Sequence, residues 1–94
     1  MELAKKDGTF GKNQIMSEVT RTLTFGEMAV GLQFNPGKDP EVEAIKRMYA
    51  NLIDKLNDLR IKAEGTEKKR MYSVAITDAQ ASQMWAVKAI TWQY

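Results

Sequence analysis

The chain has no cysteine and no histidine among its 94 residues. Without cysteine there is no disulfide, no thiolate nucleophile and no zinc–cysteine site, which fits a reducing compartment. Without histidine the commonest general base and the commonest metal ligand are both missing. No apolar run approaches the roughly 18 residues that a membrane-spanning helix needs, and the N-terminus lacks a secretory hydrophobic segment. A soluble cytoplasmic protein is therefore expected. Charge of one sign is lacking too. Lys and Arg number 14 against 12 Asp and Glu, a net of +2, too even a balance for binding polymeric nucleic acid through bulk electrostatics. Asp54 and Asp58 share a helix face, but no apolar setting would shift either pKa, so they read as a solvated face. No nucleotide-binding glycine loop, nucleophile elbow or metal-ligand cluster occurs. The expectation is a protein that is not an enzyme and carries neither cofactor nor metal.

What the chain does have is apolar surface in excess of what one copy can bury. From Arg70 to Trp92 the sequence reads as one long helix. Met71, Val74, Ala81, Trp85 and Trp92 follow one stripe of it. Tyr72, Ala75, Ala79, Ala86 and Ala89 follow a second, and Ile76 and Ile90 a third. A helix apolar most of the way round must be covered most of the way round. One domain of this length has a thin core, so the pattern predicts an obligate oligomer.

The rest of the chain supplies the partner helix and its punctuation. Residues 1–23 are polar and form an N-terminal arm, with an extended piece expected at 20–23. Residues 24–94 form the helical domain. Thr24 and Glu27 are spaced as a capping box, opening a short apolar helix that ends near Gln33 and lies across the main helices. Phe34 to Lys38 make a turn, with Pro36 and Gly37 at the centre of a type II geometry. Asp39, Pro40 and Glu41 then suit the N-cap and first turn of a long helix. Val42, Ile45, Tyr49, Leu52, Leu56, Leu59 and Ala63 recur along it at three- and four-residue steps, a sustained a/d seam. Gly65 is expected as a left-handed C-cap, with Thr66 capping the next helix. So short a gap forces an antiparallel hairpin. The fold class is all-α: a short N-terminal helix and a long antiparallel two-helix hairpin, assembled as a homo-oligomer.

Three features exceed what assembly requires. Phe34, followed by Asn35 and Pro36, is an aromatic on a turn before a helix N-terminus; it suits stacking on a nucleobase and equally a hydrophobic staple. Lys46 and Arg47 lie within two turns of that N-terminus, whose free amides with a nearby lysine make a phosphate site, although spacing alone favours a solvated face. Arg70 and Thr77, seven residues apart, share one face of an otherwise apolar helix. At an interface they need partners, either neighbouring polar groups across subunits or an anionic ligand.

The combination of Phe34-Asn35-Pro36 with Ile45-Lys46, Ala50 and Leu52, followed by Arg70, Ser73, Ala75-Ile76-Thr77, Ala81, Met84-Trp85-Ala86 and Ala89-Ile90, resembles a known family. It is similar to the phage anti-CBASS type-2 sponges, which sequester cyclic oligonucleotide second messengers. The similarity runs from about Phe34 to Ile90. It implies homohexamers of helical hairpins in the host cytoplasm, holding cyclic dinucleotides (3′,3′-cyclic GMP–AMP type) between subunits without cleaving them. Some members also hold cyclic trinucleotides (cyclic tri-AMP type) in separate pockets. The resemblance assigns base stacking to Phe34, in the segment Phe34-Asn35-Pro36, and phosphate contact to Lys46. It assigns the larger ring to Arg70 and Thr77. The family's stacking residue is often Tyr; Phe34 keeps the ring without the hydroxyl.

The functional expectation is therefore inhibition of host immune signalling by stoichiometric capture. The alternative is a purely structural helical oligomer, a small phage assembly or adaptor protein, which assigns nothing to Phe34 or Lys46. A binder of polymeric nucleic acid would show steep salt dependence on long polymers.

Overall fold

The computed structural model describes residues 22–94. The polar arm predicted over 1–23 lies outside the described residues except for Thr22 and Leu23, which are non-helical. Three helices follow: α1 (Phe25–Ala29), α2 (Pro40–Lys62) and α3 (Thr66–Ile90). The described residues are all-α, and α2 and α3 form the expected hairpin.

The starts of α1 and α2 follow the sequence signals closely. The Thr24 hydroxyl accepts from the Glu27 amide, and the Glu27 carboxylate accepts from the Thr24 amide, closing the capping box. Asp39 caps α2, its Oδ1 accepting from Glu41 N–H at 2.8 Å and Val42 N–H at 3.4 Å, with Pro40 at the first helical position. A cap of this kind contributes about 1 kcal/mol.

The helix ends depart from expectation. α1 stops at Ala29 rather than near Gln33, because Gly31 adopts φ +60°. Gly31 N–H donates to Met28 C=O at 3.1 Å, and Leu32 N–H reaches back to Glu27 C=O at 3.0 Å. That pair of bonds is a Schellman closure, and the buried Leu32 supplies its usual apolar contact. The turn after Phe34 is closed by Lys38 N–H to Asn35 C=O at 3.0 Å, but it is not type II. Positive φ falls on Lys38 (53°), not Gly37. The Asn35 side chain explains this: it donates to Asp39 C=O at 2.9 Å and accepts from Asp39 N–H at 3.2 Å, fixing the turn from both sides. Gly65 is the residue before α3 rather than a left-handed C-cap, with φ 97° and ψ 138°, and Thr66 is the first helical residue. The open carbonyls at the end of α2 are met instead by Lys69, whose ammonium donates to Arg60 C=O at 3.0 Å.

Packing draws the inward face of α2 to one side of the seam, keeping Val42 buried and Tyr49 and Leu56 partly buried against the core. The buried side is Val42, Lys46, Ala50 and Ile53. Leu52, on the seam, is 48% exposed and joins Ile45, Met48 and Tyr49 along a shallow apolar groove. The cause is α1, which lies on α2 at Ala50. A Cβ on Gly26 would meet the Ala50 carbonyl carbon at 2.9 Å and Asp54 Cγ at 3.0 Å. The Gly26 amide donates to Asp54 Oδ1 at 2.7 Å, so Asp54 anchors a helix rather than facing solvent alone. From α3, Ile76 and Ala79 complete a core with Val30, Leu32, Ala50 and the fully buried Ile53. Burying a side chain such as Ile53 contributes about 1.5–3 kcal/mol.

Polar clips fix the register of the hairpin. The Tyr49 and Ser82 hydroxyls lie 2.5 Å apart and Arg60 donates to the Ser73 hydroxyl at 3.0 Å, while Gln80 ties α3 to α1 by donating to Ala29 C=O at 3.1 Å. Much of α3 stays uncovered in one copy. Met71, Val74, Met84 and Trp85 are all exposed, as is Trp92 just beyond it. No helix among the described residues is long and apolar enough to cross a membrane.

Candidate functional site

The antiparallel pairing brings the end of α3 alongside the start of α2, and a groove of about 490 Å³ opens where they meet the Phe34 turn. That volume is in the range of small-molecule sites. Phe34, Asn35 and Pro36 line the turn side, Lys46 and Val42 come from α2, and Ile90 and Trp92 close the far side.

The Phe34 ring is 73% exposed. A staple would bury it, so its place is not set by its own packing. Its backbone is set by Lys46. That side chain is buried, and its ammonium donates to Phe34 C=O at 2.5 Å and to Gly31 C=O at 3.0 Å. The same nitrogen lies 5.5 Å from the Phe34 ring centroid, within cation–π range. Burial lowers the Lys46 pKa from the ordinary lysine value by penalising the charged form. Lys46 is thus no part of a solvated face. It ties the end of the α1 turn to the start of the Phe34 turn and puts a positive centre under the aromatic ring.

The family described as Acb2/Tad1, hairpin domain, matches residues 27–91, more than half of the chain. The chain belongs to the Acb2/Tad1 hairpin family. It is the anti-CBASS type-2 sponge family that the sequence resembles. No curated protein and no solved structure matches the chain.

In this Acb2/Tad1 hairpin the free helix amides expected to take part in a phosphate site are already occupied. Pro40 has no N–H. The amides of Glu41 and Val42 bond the Asp39 carboxylate, and that of Glu43 bonds Asp39 C=O at 3.1 Å. With Glu41 and Glu43 in the same turn, the helix start is acidic, and Lys46 is the cation that the groove wall supplies. Arg47 is turned elsewhere, pairing with Glu27 at 3.4 Å and Glu43 at 3.5 Å. The Asn35 side chain is engaged at both ends by Asp39, so it shapes the turn.

The structure keeps Arg70 and Thr77 apart from this groove. They lie in the first half of α3, and the groove is built from its last turn, roughly 15 Å beyond Thr77 and roughly 25 Å beyond Arg70 along the helix axis at about 1.5 Å per residue. Arg70 grips Glu67 through two bonds, Nε to Oε1 at 3.0 Å and Nη2 to Oε2 at 2.6 Å. This contact raises the Arg70 pKa and lowers that of Glu67. Thr77 is exposed. Among the described residues no hydrogen bond joins the two.

One groove residue escaped the sequence reading as a site residue. Trp92 counts in the sequence as a member of an assembly stripe, yet it lines the same groove as Phe34 and Lys46. The signal was an aromatic at the end of the second helix of an antiparallel pair, which must return to the start of the first.

Proposed function

We propose that this chain captures cyclic dinucleotides without cleaving them, blunting an immune signal of the phage's host. Membership of the Acb2/Tad1 hairpin family supports the reading. The observation that carries it is the exposed Phe34 ring backed by the Lys46 ammonium in one groove. A base stacks on the ring, the ammonium attracts phosphate, and nothing in the groove is needed as an acid or base. Capture must outcompete a host effector, so a dissociation constant in the nanomolar range is required, about −12 kcal/mol. A hexamer of hairpins in the host cytoplasm would bury the exposed faces of α2 and α3 and hold the groove rigid.

The test is calorimetric titration with 3′,3′-cyclic GMP–AMP and cyclic tri-AMP, followed by heat release and chromatography of the ligand. Tight binding with intact ligand recovered supports capture; altered ligand makes the chain a nuclease. Phe34→Ala is expected to weaken cyclic GMP–AMP binding about 10- to 100-fold, the worth of one stacked base. An unchanged affinity removes Phe34 from the site.

A cyclic trinucleotide site at Arg70 and Thr77 belongs to the same proposal. Replacing both residues with Ala is expected to weaken cyclic tri-AMP about tenfold, through loss of charge-assisted bonds, and to leave cyclic GMP–AMP untouched. Equal loss for both ligands would make the pair an assembly contact. The exposed apolar residues Met48, Leu52 and Trp85 suit the adaptor reading as well. That reading predicts no heat with either nucleotide.

A further inference from the structure

We propose that Trp92 is the second stacking face of the groove, so that one base of a cyclic dinucleotide rests on Phe34 and the other on the Trp92 indole. The inference rests on the dinucleotide-capture reading above and names a residue one position beyond the family match, which ends at residue 91. Phe34 and Trp92 line one groove from different segments, the turn before α2 and the coil after α3. Each ring is exposed, Phe34 by 73% and Trp92 by 58%. Each also has a lysine ammonium 5.5 Å from its centroid, Lys46 for Phe34 and Lys88 for Trp92.

The exposed Trp92 continues the end of α3 and has neighbours of its own. Its amide donates to Ala89 C=O at 3.3 Å. Tyr94 meets the indole edge-on, with centroids 5.3 Å apart and planes at 71°. Lys88 lies between Trp92 and Trp85, 5.4 Å from the Trp85 ring, and has no carboxylate partner among the described residues. An exposed ring with an ammonium beside it, lining a groove of small-molecule size, offers stacking area to a flat partner. Two such rings in one groove match a ligand with two bases better than a mononucleotide.

The chain has two tryptophans, so Trp85→Phe leaves Trp92 as the sole indole reporter. That variant is titrated with 3′,3′-cyclic GMP–AMP while its fluorescence and the heat of binding are followed together. The expected result is saturable quenching whose midpoint equals the calorimetric dissociation constant. Trp92→Leu is expected to lose about 5- to 150-fold in affinity, while Trp92→Phe stays within a few-fold of the parent. Full calorimetric binding with unquenched Trp92 would overturn the assignment and leave the capture reading intact. A Trp92→Leu protein whose weakened binding accompanies a smaller assembly on ultracentrifugation would make Trp92 a contact between copies instead. Absence of heat with the parent chain would overturn both the capture reading and the role of Trp92.

Discussion

Gly26→Ala is expected to destabilise the protein by roughly 3 kcal/mol, at the upper end of what overpacking costs. Helix propensity argues the opposite sign, because alanine is favoured over glycine by about 1 kcal/mol inside a helix. The sign of the measured change therefore separates local preference from packing. The added methyl would overlap the Ala50 carbonyl oxygen, with Ala50 C at 2.9 Å and Asp54 Cγ at 3.0 Å. Two of these atoms are backbone atoms of a long helix, and no rotamer change removes them. To accept the methyl, α1 must lift from α2, stretching the 2.7 Å bond from Gly26 to Asp54. For a domain of this size each kcal/mol moves the thermal midpoint by about 4–8 °C, so a fall of well over 10 °C is expected by circular dichroism. A midpoint at or above that of the parent would mean that α1 is not seated on Ala50.

Lys46→Met is expected to lower stability by about 2 kcal/mol, or roughly 10 °C in the midpoint. Methionine keeps the apolar stem. It removes the donor to Gly31 C=O and Phe34 C=O, each of which then loses a bond of 3.0 Å or less. A buried acceptor left without a partner costs about 1–3 kcal/mol, and these two are only partly buried, so the lower end applies to each. Affinity for 3′,3′-cyclic GMP–AMP is expected to fall at least tenfold in the same variant, because the cation near the ring is lost and the turn is released. An unchanged midpoint would mean that water serves both carbonyls. A lower midpoint with unchanged affinity would make Lys46 a structural residue only.

The starts of α1 and α2 were legible in the sequence because caps are local, whereas at α3 Gly65 and not Thr66 takes the cap position. Thr24 with Glu27, and Asp39 with Pro40, act on amides within a few residues of themselves. The end of α1 was less visible. Gly31 is flanked by Val30 and Leu32, and an apolar run hides a left-handed closure. The inward face of α2 was read only in part, with Val42, Tyr49 and Leu56 right and Leu52 wrong, for a non-local reason. Gly26 lets α1 approach Ala50, which turns Ile53 inward and leaves Leu52 out. Lysine reads as solvated wherever it occurs, so the burial of Lys46 depended on knowing that Gly31 and Phe34 would present carbonyls to it. That Phe34 and Trp92 line one groove depends on hairpin register, set by the Tyr49–Ser82 and Arg60–Ser73 clips across helices. Composition gave neither residue as half of a pair.

The anchoring of the Phe34 turn has a consequence for how such a protein changes over generations. The turn is held through main-chain carbonyls on Lys46 and through the Asn35–Asp39 bonds, while the ring itself is 73% exposed. Its identity therefore contributes little to folding. On the proposed capture function, a lineage whose ligand changes can exchange this ring by single mutations and keep the scaffold. Lys46 and Gly31 have no such freedom, so variation should gather at the tip of the turn and be scarce at its roots.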